Sequence, residues 1–217
     1  MISEKRFQFY GRRKGKSLRR HHSGLMDELL PHLRVGLGEP LSGTAEPRWL
    51  EIGFGGGEHL AHQAELHPGV SFIGAEPFVN GVAKLLARVE EKNLANVRIH
   101  DGDARYLLEA LPEACFERIY LLYPDPWPKS RHNKRRFVSP ENLVHFHRVL
   151  KPGGRFLFAS DINDYVDWTR EHVREHGGFA EDGDPSEPYE NWIETRYEAK
   201  ARREGRGSAY LRFRRLP

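Results

Sequence analysis

The sequence predicts an α/β protein in which a mostly parallel β-sheet is covered by helices on both faces. Segments of strand type and of helix type alternate along the chain from residue 48 onwards, which is typical of strands joined by crossover helices. The 217 residues suffice for one domain with a substantial core. Acidic residues recur where successive predicted strands end, the edge at which open α/β sheets bind their ligands.

Each predicted element follows from the local pattern of residues. Short runs of apolar residues predict five strands, at residues 48–54, 70–75, 97–100, 118–123 and 155–160. Longer stretches of helix type predict helices at residues 58–66, 79–92, 104–111, 141–150 and 165–176. The alternating segment 208–214 predicts a last, half-exposed strand, which is expected to be antiparallel at or near the sheet edge.

The first 22 residues are predicted to form a flexible basic arm, and residues 23–217 a single domain. Residues 5–20 contain eight Lys or Arg and no acidic residue, with Phe7, Phe9 and Tyr10 among them. Bases stack on such rings while cations hold phosphates, which favours an RNA contact over a solubilising tail. A short amphipathic helix at residues 23–34 is expected to pack on the core.

Charge and composition narrow the class of protein. The net charge is only +3, but residues 129–136 contain five Lys or Arg and no acid, and residues 196–215 contain eight against two Glu. This asymmetry favours a polyanionic partner. No apolar run approaches the roughly 20 residues of a membrane span, and no signal peptide is recognisable. The single cysteine, Cys115, fits a reducing environment, so we expect a cytoplasmic protein.

Acidic side chains are expected to form one site at the edge of the sheet. The residues at or just after predicted strand ends are Glu51, Glu76, Asp103, Asp125 and Asp161. Glu76 is placed to accept hydrogen bonds from two ribose hydroxyls. Asp103 is placed to accept from an adenine amine or to orient the backbone. Asp101 is a competing candidate, and either aspartate could be a turn residue.

The loop after the first strand reads Glu51-Ile-Gly53-Phe-Gly55-Gly-Gly57-Glu58. Its glycines allow sharp turns and the close approach of a ligand, but the spacing differs from the G-x-G-x-x-G of a dinucleotide site. Carboxylates on both sides of the loop would repel a pyrophosphate and attract a cation. S-adenosylmethionine carries a sulfonium and an ammonium group and no phosphate, so it fits better than NAD, whose oxidoreductases are a distant alternative.

The segment 120–136 combines three features that suit a planar base attached to a phosphate. An apolar strand ends in three prolines, because proline cannot donate to a sheet ladder. The prolines stiffen the loop that carries Asp125 and Trp127. A run of five cations follows. The alternative interpretation is a proline-rich surface turn followed by solvated charges.

These segments resemble a known family. Pro124-Asp-Pro-Trp-Pro-Lys129 and Arg131-His-Asn-Lys-Arg-Arg136 are similar to the signature of the bacterial tRNA (guanine-N7-)-methyltransferases, and the glycine loop and Thr195-Arg-Tyr-Glu198 match in order and spacing. The resemblance covers about residues 45–215. It implies a Rossmann-like class I methyltransferase with a mostly parallel seven-stranded sheet and a basic N-terminal extension. It also implies that S-adenosylmethionine is used to form 7-methylguanosine at position 46, in the variable loop of tRNA.

The resemblance assigns roles to individual residues. Around the cofactor it implies Glu51, Glu76, Asp103 and Asp125, with Gly53 and Gly55 of the glycine loop. At the substrate guanine it implies Lys129, Asp161, Thr195, Arg196, Tyr197 and Glu198. On the RNA it implies Arg131, His132, Asn133, Lys134, Arg135 and Arg136.

The implied reaction needs no general base. Guanine N7 carries an in-plane lone pair and no proton, so the main tasks are alignment and stabilisation of the cationic product. We therefore predict an orienting and electrostatic catalytic role for Asp125. Asp161 is the other carboxylate that could stabilise the charge. Trp127 could stack on the base or pack against the sheet edge.

Other functions and the assembly state stay open at this point. Methylation of an exocyclic amine is a second enzymatic possibility, because an Asp-Pro-aromatic turn after the fourth strand is also typical of amino methylases. A non-catalytic RNA-binding module is another. No Cys or carboxylate cluster completes a metal site with the histidines, so no metal is expected. The sequence does not decide between a monomer and a homodimer.

Overall fold

A computed structural model of the chain describes residues 7–38, 41 and 46–217. Its centre is a seven-stranded sheet with the strand order β3-β2-β1-β4-β5-β7-β6. The strands are β1 (Arg48–Ile52), β2 (Ser71–Ala75), β3 (Val97–His100), β4 (Phe116–Leu122), β5 (Leu150–Ser160), β6 (Phe179–Asp182) and β7 (Ala209–Arg215). The helices are α1 (Arg20–Glu28), α2 (Leu30–Leu33), α3 (Glu58–Leu66), α4 (Val79–Lys92), α5 (Ala104–Ala110), α6 (Pro140–Val149), α7 (Asn163–His176) and α8 (Arg196–Arg203). A 3-10 helix spans Ser130–Arg135.

The sheet is mostly parallel, as the sequence predicts. Strands β3, β2, β1, β4 and β5 are parallel neighbours, joined through the intervening helices. The last strand, β7, is antiparallel to β5 and also pairs with β6. It is therefore the second strand from the edge, and the edge strand is β6, a four-residue element that the sequence did not reveal. The seven strands and the Rossmann-like architecture are confirmed.

Helices cover both faces of the sheet. Alternate residues of β1 point to opposite sides, so Trp49 and Leu50 belong to different buried clusters. On one side, α5, α6 and α7 contribute Leu107, Phe146 and Tyr165, all fully buried. On the other side lie α1 to α4. Burying each such large apolar side chain contributes about 1.5–3 kcal/mol, so the helices on both faces stabilise the sheet.

The N-terminal helix differs from its prediction. A single helix was expected at residues 23–34, whereas α1 begins at Arg20 and a separate short helix, α2, begins at Leu30. Pro31 follows immediately, and proline is tolerated in a first turn but not in the interior of a helix. The proline thus separates the two helices.

The basic arm is packed where the structure describes it. The backbone amide of Val79 donates to the Arg13 carbonyl at 3.0 Å, and that of Gly15 donates to Asn80 Oδ1 at 2.7 Å. Asn80 Nδ2 donates in turn to the Lys16 carbonyl at 2.7 Å. These bonds join residues 13–16 to the start of α4; the flexibility of the arm stays a prediction, and its residues 1–6 lie outside the described residues. Within the described ranges, none of the helices is both long enough and apolar enough to cross a bilayer.

Candidate active site

A cavity of about 550 Å³ opens at the edge of the sheet where β1, β2, β3 and β4 end. Three of the predicted acidic residues, Glu76, Asp103 and Asp125, line this one cavity. They come from segments that follow different strands, so their meeting is a product of the parallel topology. Three of the five acidic residues predicted at this edge of the sheet therefore lie at one cavity.

The glycine loop forms one wall. Gly53, Gly55 and Gly57 have φ values of +70°, +57° and +73°, in the left-handed region that other residues rarely adopt. A Cβ atom on Gly53 would meet no atom within 4 Å, and Gly53 lines the cavity. A Cβ on Gly81 would lie 2.3 Å from the Gly55 carbonyl oxygen, so the loop packs directly on α4. The backbone is thus exposed to a ligand and supported from behind.

Glu76 links the glycine loop to the end of β2. One carboxylate oxygen accepts from the Gly55 amide at 2.8 Å, and the other accepts from the Phe78 amide at 2.9 Å. Burial raises the pKa of Glu76, and the two amide bonds oppose this rise. Each oxygen keeps a further lone pair, so the carboxylate can still accept from a pair of hydroxyls.

Asp103 and Asp101 have separate environments. Asp103 lines the cavity and caps α5, because its side chain accepts from the Arg105 amide. The Arg105 guanidinium also pairs with it. The carboxylate of Asp101 is bound by Arg34, with Nη2 to Oδ2 at 2.8 Å, and does not line the cavity. Of the two competing candidates, Asp103 is the one that can meet a ligand, although it also serves as a cap.

The proline-rich loop after β4, the strand next to β1, also lines the cavity. Tyr123 and Trp127 on either side of Asp125 have φ values of +48° and +46°, a costly conformation for such bulky residues. Tyr123 Oη donates to Ser208 Oγ at 2.8 Å. The surrounding protein desolvates the Asp125 carboxyl and raises its pKa. Strain of this kind, held by neighbouring structure, is characteristic of binding and catalytic sites.

Glu51 does not line the cavity. It lies one residue before the end of β1, and its neighbours Ile52 and Gly53 are the ones that line the wall. The Glu51 carboxylate is buried and lies 2.7 Å from His59 Nδ1. The predicted cofactor role of Glu51 therefore stays a prediction, and its observed partner is a histidine of α3.

Two residues predicted at the guanine also lie outside the cavity lining. Asp161 follows β5 and pairs with Arg206, whose Nε lies 2.7 Å from Oδ2. Lys129 is exposed immediately before the 3-10 helix. Neither position tests a contact with RNA, so both roles stay predictions.

The predicted RNA segment has an outer and an inner side. Arg131 and Lys134 are exposed, whereas His132 and Asn133 are partly buried. Desolvation and the nearby cations lower the pKa of His132. These four residues belong to the 3-10 helix, which carries its charge towards solvent.

Arg135 and Arg136 end the segment on its inner side. The Arg135 guanidinium lies over two rings, at 4.4 Å from Tyr10 and 4.9 Å from Trp127. Arg136 is buried, and its side chain has no exposed surface. The predicted RNA role of Arg136 stays a prediction, and its observed partners are residues of the protein.

The segment Thr195–Glu198 begins helix α8, which the sequence did not reveal. Thr195 Oγ1 accepts from the Glu198 amide at 3.2 Å, and Glu198 reaches back to the Thr195 amide. This reciprocal capping box holds the first turn. Glu198 also accepts from Trp192 Nε1 at 2.7 Å. Within this segment it is Arg196 and Tyr197 that line the cavity.

The N-terminal segment covers the cavity, which sequence reasoning missed. Residues 7–12 line it. The Phe7 ring packs on Tyr106 at 5.1 Å between centroids, and Arg105 Nη2 donates to the Gln8 carbonyl at 3.1 Å. The aromatic residues of the arm were the signal available, but they were interpreted only as partners for RNA bases.

The cavity fits S-adenosylmethionine. Its volume lies within the range of about 300–1,000 Å³ typical of small-molecule sites. The open space above Gly53 allows the close approach of a ligand, and carboxylates suit the two cationic groups of this cofactor. Glu76, Asp103 and Asp125 would hold it, with the glycine loop beneath.

Solved structures share this fold. The 16S rRNA methyltransferase KamB has a TM-score of 0.57 at 18% identity, over 82% of this chain and 91% of KamB. A mutant of the 16S rRNA (adenine(1408)-N(1))-methyltransferase from Catenulisporales acidiphilia, with cosubstrate SAM, has a TM-score of 0.55 at 16% identity. That match covers 80% of this chain and 88% of the other. At such identities the likeness concerns the fold.

Sequence relatives are much closer. Residues 45–211 match a family model described as "Putative methyltransferase". The tRNA (guanine-N(7)-)-methyltransferase of Agrobacterium fabrum is 54% identical, over 94% of this chain and 94% of that protein. The protein of the same name from Brucella melitensis biotype 1 is 51% identical, over 94% and 93%. With this sequence identity and this cavity, the chain belongs to the family of tRNA (guanine-N(7)-)-methyltransferases.

Proposed function

We propose that this protein transfers the methyl group of S-adenosylmethionine to N7 of guanosine in tRNA. The observation that carries the proposal is the shared cavity. The glycine loop and Glu76 line it, and so does the proline-stiffened loop with Asp125 and Trp127. A cofactor held by the first group and a planar base held by the second would meet within a single cavity.

The protein's contribution to this reaction is alignment and electrostatics. The cofactor supplies an electrophilic methyl group on a sulfonium. Guanine N7 needs no deprotonation, so no residue has to act as a general base. Asp125 lines the cavity, and the charge of its carboxylate stabilises the positive charge that grows on the imidazole ring. A carboxylate can also accept from the N1–H and amino group of guanine, which adenine lacks as a pair.

Recognition of the tRNA is assigned to the exposed cations beside the cavity. Arg131 and Lys134 face solvent on the 3-10 helix, and Arg135, the last residue of this helix, lies over the Tyr10 and Trp127 rings. Cations of this kind bind phosphates in a salt-dependent manner. We extend the proposal to position 46 of the variable loop and to a cytoplasmic location. The single cysteine of the sequence, Cys115, cannot form an internal disulfide, which fits a reducing environment.

The test is a methyl-transfer assay on unmodified tRNA. Purified protein is incubated with the tRNA and methyl-labelled S-adenosylmethionine, and the modified nucleoside is identified by mass spectrometry. We expect 7-methylguanosine at a single variable-loop position, and loss of at least about 100-fold in rate for Asp125→Ala. Detection of a nucleoside methylated on an exocyclic amine would instead favour the alternative function, methylation of an amine. No label in RNA, together with intact tRNA binding, would favour a non-catalytic binding module.

A further inference from the structure

Arg136 ends the cationic segment, but its guanidinium faces the protein interior. Nε donates to the Pro126 carbonyl at 2.9 Å, Nη1 donates to the Asp164 carbonyl at 3.3 Å, and Nη2 pairs with the Asp164 carboxylate. The side chain of Arg136 is 0% exposed, whereas that of Asp164 is 70% exposed. A phosphate in solvent therefore has no access to this guanidinium.

The residues around Arg136 fasten the same stretch of chain to α7. The guanidinium carbon lies 4.9 Å from the Tyr165 ring centre and 5.1 Å from that of Trp168. Tyr165 Oη accepts from the amides of Phe137 and Val138 at 2.9 and 3.2 Å. Trp168 Nε1 donates to the Val138 carbonyl at 2.8 Å. The end of the segment is thus held by two aromatic residues and one buried cation.

These contacts anchor Arg136 to α7. Its hydrogen bond to the Pro126 carbonyl connects this anchor to the proline-rich loop that carries Asp125. The Pro126 carbonyl belongs to the residue directly after Asp125, so its position restricts the backbone that carries the carboxylate. We propose that Arg136 is a positioning residue: it ties the Pro126 carbonyl to α7, thereby fixes Asp125 at the cavity wall, and makes no contact with RNA. The positioning role rests on the methyl-transfer function proposed above.

The chemistry of the anchor explains why the residue is arginine. The planar guanidinium presents its N–H groups in several fixed directions, so it can bridge one carbonyl in the loop to a carbonyl and a carboxylate on α7. A lysine ammonium is a point charge on a flexible stem and cannot hold both sides in one geometry. We therefore expect Arg136→Lys to restore the function only in part.

The first experiment measures tRNA binding over a range of salt concentrations. We expect Arg136→Met to keep the wild-type slope of log affinity against log salt, because no phosphate contact is lost. Lys134→Met, from the exposed side of the same helix, is the comparison, and its slope should fall by about one. This measurement needs no methyl transfer, so it separates failure of the present proposal from failure of the proposed function.

The second experiment measures single-turnover methyl transfer with saturating tRNA and cofactor. We expect Arg136→Met to lower the rate by about 10- to 100-fold, the range caused by small misplacements of a catalytic group. Asp125→Asn removes the charge that Arg136 is proposed to position. The double variant should therefore be little slower than Asp125→Asn alone, whereas independent effects would multiply.

A milder variant guards against loss of the fold. Asp164→Ala removes the carboxylate half of the anchor from an exposed position and should lower the rate in the same direction, by less than Arg136→Met. Asp167→Ala removes an exposed carboxylate from the same helix and should behave like wild type. If Arg136→Met does not fold, the pair Asp164→Ala and Asp167→Ala decides the question by itself.

The results that overturn the proposal are equally definite. A salt slope lowered by about one in Arg136→Met, with the rate retained at saturating tRNA, would make Arg136 an RNA contact. Multiplicative losses in the double variant, or equal rates for Asp164→Ala and Asp167→Ala, would remove its link to Asp125.

Discussion

The two hydrogen bonds of Glu76 leave its carboxylate anchored and still able to accept. Its oxygens are held by the Gly55 and Phe78 amides, so the side chain faces a ligand without needing to reorganise. A preoriented charged acceptor contributes about 1.5–3 kcal/mol per hydrogen bond. Among the predicted site residues, Glu76 is therefore the one expected to dominate cofactor affinity.

We predict that Glu76→Gln weakens binding of S-adenosylhomocysteine by about 10- to 100-fold, the equivalent of one such bond. The amide keeps the shape of the side chain but loses its charge and one acceptor oxygen. Isothermal titration measures the change. Glu91→Gln, at an exposed position of α4, is the matched control and should bind like wild type; equal affinities for both variants would contradict the assignment.

The raised pKa values of Glu76 and Asp125 predict a pH dependence. Both groups bind a cationic ligand best when ionised, so affinity for S-adenosylmethionine is full above their raised pKa values and is lost as the pH falls through them. The loss should begin above about pH 4, where ordinary carboxyl groups titrate. Binding titrations between about pH 4.5 and pH 8 measure this loss of affinity. An affinity that stays constant throughout that range would count against ionised carboxylates at the site.

The same shifts act on stability with the opposite sign. A carboxyl whose pKa is higher in the folded than in the unfolded protein destabilises the fold when it is ionised, and protonation relieves this as the pH falls. Acidification over this window thus weakens the ligand complex while it removes an unfavourable charge from the free protein.

Side-chain direction explains which of the predicted acidic residues line the cavity and which do not. Successive side chains of a strand point to opposite faces, so Glu51 and Ile52 cannot both face the same layer. An acid at the penultimate position of β1 turned towards α3 and paired with His59. Acids just beyond a strand end, such as Glu76 and Asp125, have no such parity and reach the cavity. The burial of Arg136 could not be predicted, because a buried arginine and an exposed one look alike in a charge run.

At the scale of elements, the N-terminal segment is a cover held by polar bonds. Residues 7–12 line the cavity, and their contacts run to Tyr106, Arg105 and Trp127. Few of these contacts belong to the buried clusters of the core, so the domain should fold without them. We expect the segment instead to slow exchange of a ligand bound in the cavity.

Removal of residues 1–16 should therefore speed release of S-adenosylhomocysteine, by about 10-fold, while the melting temperature changes little. Stopped-flow displacement measures the rate. Tyr10→Ala should produce a smaller change in the same direction, because it removes only one of the two rings that Arg135 contacts. A truncated protein that releases the ligand at the wild-type rate would show that the segment is no cover.

Helix α8 depends on its capping box. Thr195→Ala should lower the free energy of unfolding by about 1 kcal/mol, the usual contribution of such a cap. It should also weaken cofactor binding, because Arg196 and Tyr197 lose their support. Thermal denaturation and titration measure the two effects. Thr195→Ser keeps the hydroxyl and should retain both properties, and a loss as large as that of alanine would point to packing of the threonine methyl group instead.

For the whole molecule, the alternation of elements predicted five parallel strands, the crossover helices and the antiparallel last strand. It could not reveal β6, because four residues with one buried apolar side chain, Phe179, carry no periodicity. Helix α8 was hidden by its composition, since only Ala201 of its eight residues is buried. Both elements are held by tertiary contacts rather than by local preference, which a pattern in the sequence does not record.

The position of β7 in the sheet has a consequence for biosynthesis. Because β7 lies between β5 and β6, the outer edge of β5 stays unpaired until β7 has left the ribosome, and until then β6 has no neighbour to join. Nascent chains that are stalled before residue 209 leaves the ribosomal exit tunnel should expose the outer edge of β5 to chaperones. Proteins generally fold during synthesis as far as their contacts allow; here the sheet closes only after the codons for its last strand have been read.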